Sequence, residues 1–308
     1  MGSLGLYHAL KNNGLLNYAF NTTVNQKTQM YEQDIDTNRL NECPIYYVRG
    51  FLNGRMSLVA RTDTQFKACW QSESYYTRRG DFDSSTQILL DNLKHFQMLF
   101  VSAESDLEKY DIPTYFLPSW ADTSVLKETC EPEYEGLGFI GGHEGREDFL
   151  GGDTKHILSC KNTGLITKSE DRAKDYTDLI CKFKYLVSPP GRCFNGMCGR
   201  AFEIMACNRL CFQYLNEDTM FEHMKFFKDG YDIVYFHDWE ELNRKFEYYK
   251  NEPELCKQIA YRGFQNVMQN HNHDIRAKYI VKCMEIEYKK WNLDQEKIVD
   301  LDTILGDK

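Results

Sequence analysis

One repeated local order constrains this chain more than any other feature. A short apolar run leads into a turn holding Gly, Ser or Pro, and then into an apolar stripe at helical spacing. That alternation belongs to α/β architecture with parallel strands. In the first half it predicts strands over Ile45–Val48, Phe66–Trp70, Met98–Ser102 and Thr114–Leu117, with helices over Tyr7–Lys11, Thr86–His95 and Glu104–Tyr110. In the second half it predicts strands over Leu137–Ile140, His156–Ser159, Tyr185–Ser188, Leu210–Tyr214 and Ile233–Phe236. Helices are expected there over Asp171–Lys182, Ala201–Cys207, Trp239–Tyr249, Pro253–Gln269 and about Asp274–Trp291. Pro253 suits a first helical turn, where no N–H is needed. The polar stretch Lys127–Glu133, interrupted by Pro132, reads as a linker between the two series.

Composition sets bounds on partners. The 308 residues leave room for two domains, at about 150 residues each. A 14% aromatic content supplies buried area and argues against disorder. With 46 acidic against 37 basic residues the net charge is −9, which disfavours a nucleic-acid partner. No apolar run approaches the ~20 residues of a transmembrane segment, and Met1 to Gly5 lack the charge and apolar core of a signal peptide. The 11 cysteines, odd in number and without a Cys-x-x-Cys unit, read as reduced thiols. The expectation is a cytoplasmic protein.

Chemistry in an α/β sheet gathers beyond the carboxyl ends of the strands, where glycines let backbone N–H groups reach anions. Two loops here have that character. The first, Gly141-Gly142-His143-Glu144-Gly145-Arg146, follows an apolar strand and brings an arginine to a helix start. The second runs from Ser188 through Pro189-Pro190-Gly191-Arg192-Cys193-Phe194-Asn195-Gly196-Met197-Cys198-Gly199-Arg200 into a helix. Glycines, arginine forks and the positive end of that helix make an anion cradle. Glu203, placed in the first helical turn, suits hydrogen bonds to two adjacent hydroxyls, as on a ribose, or a simple dipole-favoured cap.

Arg200-Ala-Phe-Glu203-Ile-Met-Ala-Cys207 resembles the R-x-F-E-x-M-A segment of GT-B glycosyltransferases, in their group-1 C-terminal domain, and most nearly the spore-maturation-protein-like subgroup. Further motifs follow in the same order: Leu117-Pro118-Ser119-Trp120-Ala121-Asp122, Gly138-Phe139-Ile140-Gly141, Asp238-Trp239-Glu240-Glu241-Leu242 and Pro253-Glu254 to Ile259-Ala260 and Gly263. The resemblance spans roughly residues 115 to 285. It implies two Rossmann-like domains facing across a cleft, an acceptor-side domain over 1–128 and a nucleotide-sugar domain over 129–274. A helix and tail over 275–308 would cross back to the first. The implied reaction is metal-independent transfer of a hexosyl or pentosyl group from a UDP- or GDP-linked sugar, as substrate, to a glycan or other hydroxyl acceptor, with no cofactor.

Carried over by position, the resemblance makes Glu203 the ribose ligand. It gives the diphosphate to Arg146 and Arg200 with the backbones of Gly141, Gly142, Gly196 and Gly199, and counts Asn195 among the donor-binding residues. Asn195 stands eight residues before Glu203, where retaining members carry a second Glu, so a retaining mechanism does not carry over. Asn208 replaces the usual glycine after the helix and can take the same left-handed cap. A general base from the N-terminal half is sought at Glu73, Asp81 (or Asp83) and His8. Asp-x-Asp strings occur at Asp34/Asp36, Asp81/Asp83 and Asp300/Asp302, too often to mark a metal site, and none is assigned. A non-catalytic nucleotide-sugar or carbohydrate-binding module and a nucleotide-sugar epimerase stay open as alternatives. His271 and His273 read as surface residues, Cys193, Cys198, Cys207 and Cys211 as idle thiols, and the run Phe221 to Phe236 as core.

Overall fold

The computed structural model describes residues 9, 45–49, 66–71, 90–140, 157–159, 172–189, 197–215 and 220–305. Among these, one compact unit is built from 118–276 and a second from 9–117 and 277–305. The second unit holds a parallel sheet of β1 (Ile45–Arg49), β2 (Phe66–Gln71), β3 (Met98–Val101) and β4 (Thr114–Phe116), in that spatial order. All four residues of β3 are buried, as a central parallel strand requires. Cys69, Phe96, Leu99, Val101 and Tyr110 pack together on one side of it.

The first unit carries β5 (Tyr134–Phe139), β6 (Ile157–Ser159), β7 (Phe183–Ser188), β8 (Leu210–Tyr214) and β9 (Val234–Phe236). They form a parallel sheet in the order β6-β5-β7-β8-β9. Its helices are α1 (Arg172–Cys181), α2 (Gly199–Ala206), α3 (Met220–Phe226), α4 (Trp239–Lys250) and α5 (Pro253–Asn270). Alternate strand residues serve opposite faces. Leu186 and Cys211 join Ile180 of α1, Phe202 and Met205 of α2 and Val267 of α5. Tyr185, Val187 and Phe212 join Leu242 and Phe246 of α4 and Ile259 of α5. Burial on both faces explains why these strands are largely apolar.

Two glycines permit close packing. A Cβ on Gly138 of β5 would stand 2.6 Å from Cγ of Phe183, whose ring stacks on Tyr134 at 5.0 Å. A Cβ on Gly263 of α5 would run into the backbone carbonyl of Asp232 and lie 3.1 Å from Met205 Sδ. Asn208 has φ 56°, the left-handed cap expected after α2. The last helix, α6 (His273–Leu305), runs beyond the predicted end at Trp291. Tyr288 and Trp291 meet Phe66 at 5.6 and 6.2 Å, and Tyr115 Oη donates to Glu287 at 2.5 Å.

Two readings change. The segment Lys127–Glu133 is no free linker. Cys181 Sγ donates to Lys127 O, Thr129 N–H to Cys181 Sγ, Arg209 to Glu128 and the Cys130 carbonyl, and Glu133 N–H to Lys182 O. Glu104–Tyr110 forms only the 3-10 turn Glu104–Asp106, closed by i to i+3 bonds, because Leu107 and Tyr110 turn in to cover β3 rather than extend a helix. The helix expected over Thr86–His95 is present where it is described, α-helical over 90–92 and closing in a 3-10 turn over Leu93–His95, while 86–89 and most of 7–11 lie outside the described residues.

Candidate functional site

Strand order fixes where a ligand can approach. In the order β6-β5-β7-β8-β9 the chain runs one way from β5 to β6 and the other way from β7 onward. The topological switch point therefore lies between β5 and β7, and ligands of open α/β sheets bind beyond the carboxyl ends there. The ends of β5 and β7 are Phe139 and Ser188. The two glycine-rich loops singled out in the sequence leave from these two strands.

The helix α2 follows β7. Its N-cap, Cys198, is extended (φ −66°, ψ 139°) and offers no side-chain cap, while Ala201 N–H closes the first turn on the Cys198 carbonyl at 3.0 Å. The helix thus starts two residues before the predicted Ala201. This moves Glu203 out of the first turn, where the dipole acts on charge, and removes the capping explanation for it. Arg200 now occupies the first turn.

Arg200 reaches back across the switch point, its guanidinium carbon 5.1 Å from the Phe139 ring centroid. Nε and Nη1 are covered and find no hydrogen-bond partner among the described residues. Covered guanidinium N–H groups without an acceptor are costly and call for a partner from elsewhere. Two buried strand residues also carry an unpaired oxygen. Ser188 and Gln213 are register partners on β7 and β8, both fully buried, and Ser188 Oγ and Gln213 Oε1 are likewise unpaired among the described residues.

Glu203 is half-buried, and its Oε2 accepts a hydrogen bond of 2.7 Å from Tyr176 Oη on α1. Burial, and then the negative charge of Glu203, hold the Tyr176 phenol well above its usual pKa, so it stays a neutral donor. Sequence reasoning missed Tyr176. The available signal was a tyrosine three and four residues before Leu179 and Ile180 on an apolar helix face, since a tyrosine set into a core needs a partner for its hydroxyl.

Of the predicted site residues, Gly199, Arg200 and Glu203 lie together on α2. Glu73, Asp81, His8, Gly141, Gly142, Arg146, Asn195 and Gly196 lie outside the described residues. His271 and His273 are buried, not on the surface. His271 packs against Phe202, Phe226 and Phe227, and its Nδ1 meets Arg276 Nη2 at 2.8 Å. Burial and the nearby Arg276 push its pKa down to about 3. Phe227, Tyr235 and Phe236 are core, whereas Tyr231 is exposed. Cys207 and Cys211 are buried, and among the described residues no group of three or more His, Cys, Asp or Glu could hold a metal ion.

Residues 169–282, which include α2, Tyr176 and His271, match a family model described as glycosyl transferase-like. The fold is that of the GT-B glycosyltransferases. Sucrose-phosphate synthase from Thermosynechococcus elongatus superposes with a TM-score of 0.63 at 11% identity, over 92% of both chains. Anabaena HepE gives 0.59 at 9% identity, over 81% of this chain and 80% of that one. TarM gives 0.58 at 10% identity over 78% of this chain, which spans 54% of TarM. No curated protein sequence matches. Among the described residues no helix is long and apolar enough to cross a membrane.

Proposed function

We propose that this protein is a glycosyltransferase moving a hexosyl or pentosyl group from a nucleoside-diphosphate sugar to a hydroxyl of a glycan or other acceptor. One observation carries the reading: two covered guanidinium nitrogens of Arg200, Nε and Nη1, without a hydrogen-bond partner among the described residues, at the switch point of a GT-B sheet. A diphosphate is the anion this fork accepts, through two charge-assisted hydrogen bonds. Glu203, three residues further along α2, offers Oε1 to the ribose hydroxyls. In this proposal Arg146 and the backbones of Gly141, Gly142, Asn195, Gly196 and Gly199 complete the donor site. HepE has been crystallised with UDP and with UDP-glucose, and the pneumococcal GtfA with UDP and GlcNAc. Those complexes make UDP the first nucleotide to try and GDP the second.

As the bond from the sugar to the diphosphate breaks, the leaving group takes the electron pair. The growing charge falls on oxygens next to Arg200 and the amino end of α2, both fixed before the reaction starts. The acceptor hydroxyl gives its proton to a general base, for which Glu73, Asp81 and His8 are the candidates. The proposal includes independence from divalent metal, because the chain's own cation and helix end supply the required charge.

The test is turnover of isotope-labelled UDP-sugars and GDP-sugars with an acceptor panel, in excess EDTA. Labelled glycoside with release of nucleoside diphosphate is expected. Donor that is bound but unchanged, or epimerised without acceptor, overturns the transferase reading. Activity abolished by EDTA and restored by Mg²⁺ overturns the metal-independent part.

A further inference from the structure

We propose that Tyr176 is a positioning residue for Glu203: its hydroxyl holds the carboxylate in the one orientation that leaves Oε1 facing the ribose of the donor. The inference rests on the nucleotide site proposed above but adds a residue from a different helix. Tyr176 stands in α1 and Glu203 in α2, two helices that share one face of the β5–β9 sheet through Ile180, Phe202 and Met205. Tyr176 Oη donates to Glu203 Oε2 at 2.7 Å, and among the described residues no donor meets Oε1. Neither group sits at a helix end, so the bond caps nothing.

The chemistry favours a tether. An ionised carboxylate presents about four lone-pair directions, and the tyrosine occupies one of them. Because the phenol keeps its proton, Tyr176 stays the donor to the ionised carboxylate. A free glutamate loses side-chain freedom when it is fixed. A carboxylate already fixed by Tyr176 spares a ligand that cost, in the way any preorganised site does. The second ribose contact then falls to a group of known position rather than to a mobile one.

The hydroxyl-specific part of binding isolates this role. UDP is compared by calorimetry with 2′,3′-dideoxyuridine diphosphate, which lacks both ribose hydroxyls, on wild type, Tyr176→Phe, Glu203→Ala and the double variant. Tyr176→Phe is expected to weaken UDP about tenfold, the equivalent of the freed glutamate's lost fixation, and to leave the dideoxy analogue within about twofold. In the Glu203→Ala background, removing the hydroxyl is expected to change neither affinity. Equal weakening of both ligands by Tyr176→Phe reveals a merely structural bond and overturns the proposal, as does no change in either. Should the Phe variant fail to fold, Tyr176→Gln keeps an N–H donor of shorter reach. It is expected to lie between wild type and a full loss of the preference for UDP, and loss of both ligands alike overturns the proposal. The underlying site fails separately, if wild type binds no UDP or if Glu203→Ala leaves the preference over the dideoxy analogue intact.

Discussion

Replacing Gly263 by alanine sets two effects of opposite sign against each other. Alanine in a helix interior is favoured over glycine by about 1 kcal/mol. Against this, the new Cβ would meet the Asp232 carbonyl oxygen inside the 3.0 Å that real Cβ atoms keep, with Met205 Sδ and Cγ at 3.1 and 3.3 Å. Met205 can rotate, but the carbonyl cannot yield. The Asp232 N–H donates to Lys228 O at 3.2 Å, and its carboxylate accepts from Lys228 N–H at 2.6 Å and Asn266 Nδ2 at 3.1 Å. Overpacking a core costs about 1–3 kcal/mol, and a fixed carbonyl points to the upper part of that range. The net effect is a loss of about 1–2 kcal/mol, or roughly 2–8 °C in the melting transition of a unit this size. Thermal unfolding followed by circular dichroism measures it. Gly199→Ala is the control, since its Cβ would meet only Ser119, at 3.8 Å, and should change stability by less than about 0.5 kcal/mol. A Gly263→Ala protein melting at or above wild type refutes the packing account. So does complete rescue by Met205→Ala, which would place the clash in the thioether alone.

Three further outcomes follow from the same geometry. Asn208→Ala and Asn208→Gly both lose the 3.1 Å bond from Nδ2 to Glu128, so their difference isolates the left-handed φ of 56°; alanine should be less stable than glycine by about 1 kcal/mol in urea titrations. Burial alone would raise the Glu241 carboxyl, but bonds from the ring and backbone of His237 and from Lys245 outweigh it and hold the pKa at about 2. A depressed carboxylate contributes stability above its usual value of 4.5 that is lost as pH falls toward 2. Acid titration of Glu241→Gln should therefore show a shallower loss over that window, by about 1–2 kcal/mol once solvent screening is allowed for. Arg209 is buried and donates to the carbonyls of Cys181 and Cys130 as well as to Glu128; Arg209→Ala strands those acceptors and should cost about 2–4 kcal/mol by denaturant unfolding.

How much of this was legible in the sequence depends on what each feature rests upon. Strands were readable because burial on both faces makes them largely apolar, and Leu210–Tyr214 has the predicted limits. The switch point was foreshadowed by glycines after β5 and by the loop leading into α2, since close backbone approach restricts which residues fit. Helix starts were less legible. Cys198 begins α2 through backbone geometry without a capping side chain, so nothing in its side-chain chemistry announced that Glu203 lies beyond the first turn. Leu107 and Tyr110 have helical spacing, yet both turn in to cover β3, and only a 3-10 turn forms between β3 and β4. Contacts between distant residues were not legible at all. Tyr176 and Glu203 are 27 residues apart, and Arg209 and Glu128 are 81. His271 looked solvated in a polar turn, and only the packing of Phe202, Phe226 and Phe227 around it shows otherwise.

Arg200, with Nε and Nη1 unpaired among the described residues, and the tethered Glu203 are proposed to form a nucleoside-diphosphate site. Isothermal titration of the full chain with UDP, GDP, ADP and dTDP, repeated on Glu203→Ala and Arg200→Met, is the test. One of these nucleotides should bind the wild type, with Arg200→Met weakening it by at least about tenfold through the lost charge-assisted bonds. Glu203→Ala should weaken it as well. Binding of none of the four, or unchanged affinity in both variants, contradicts the account.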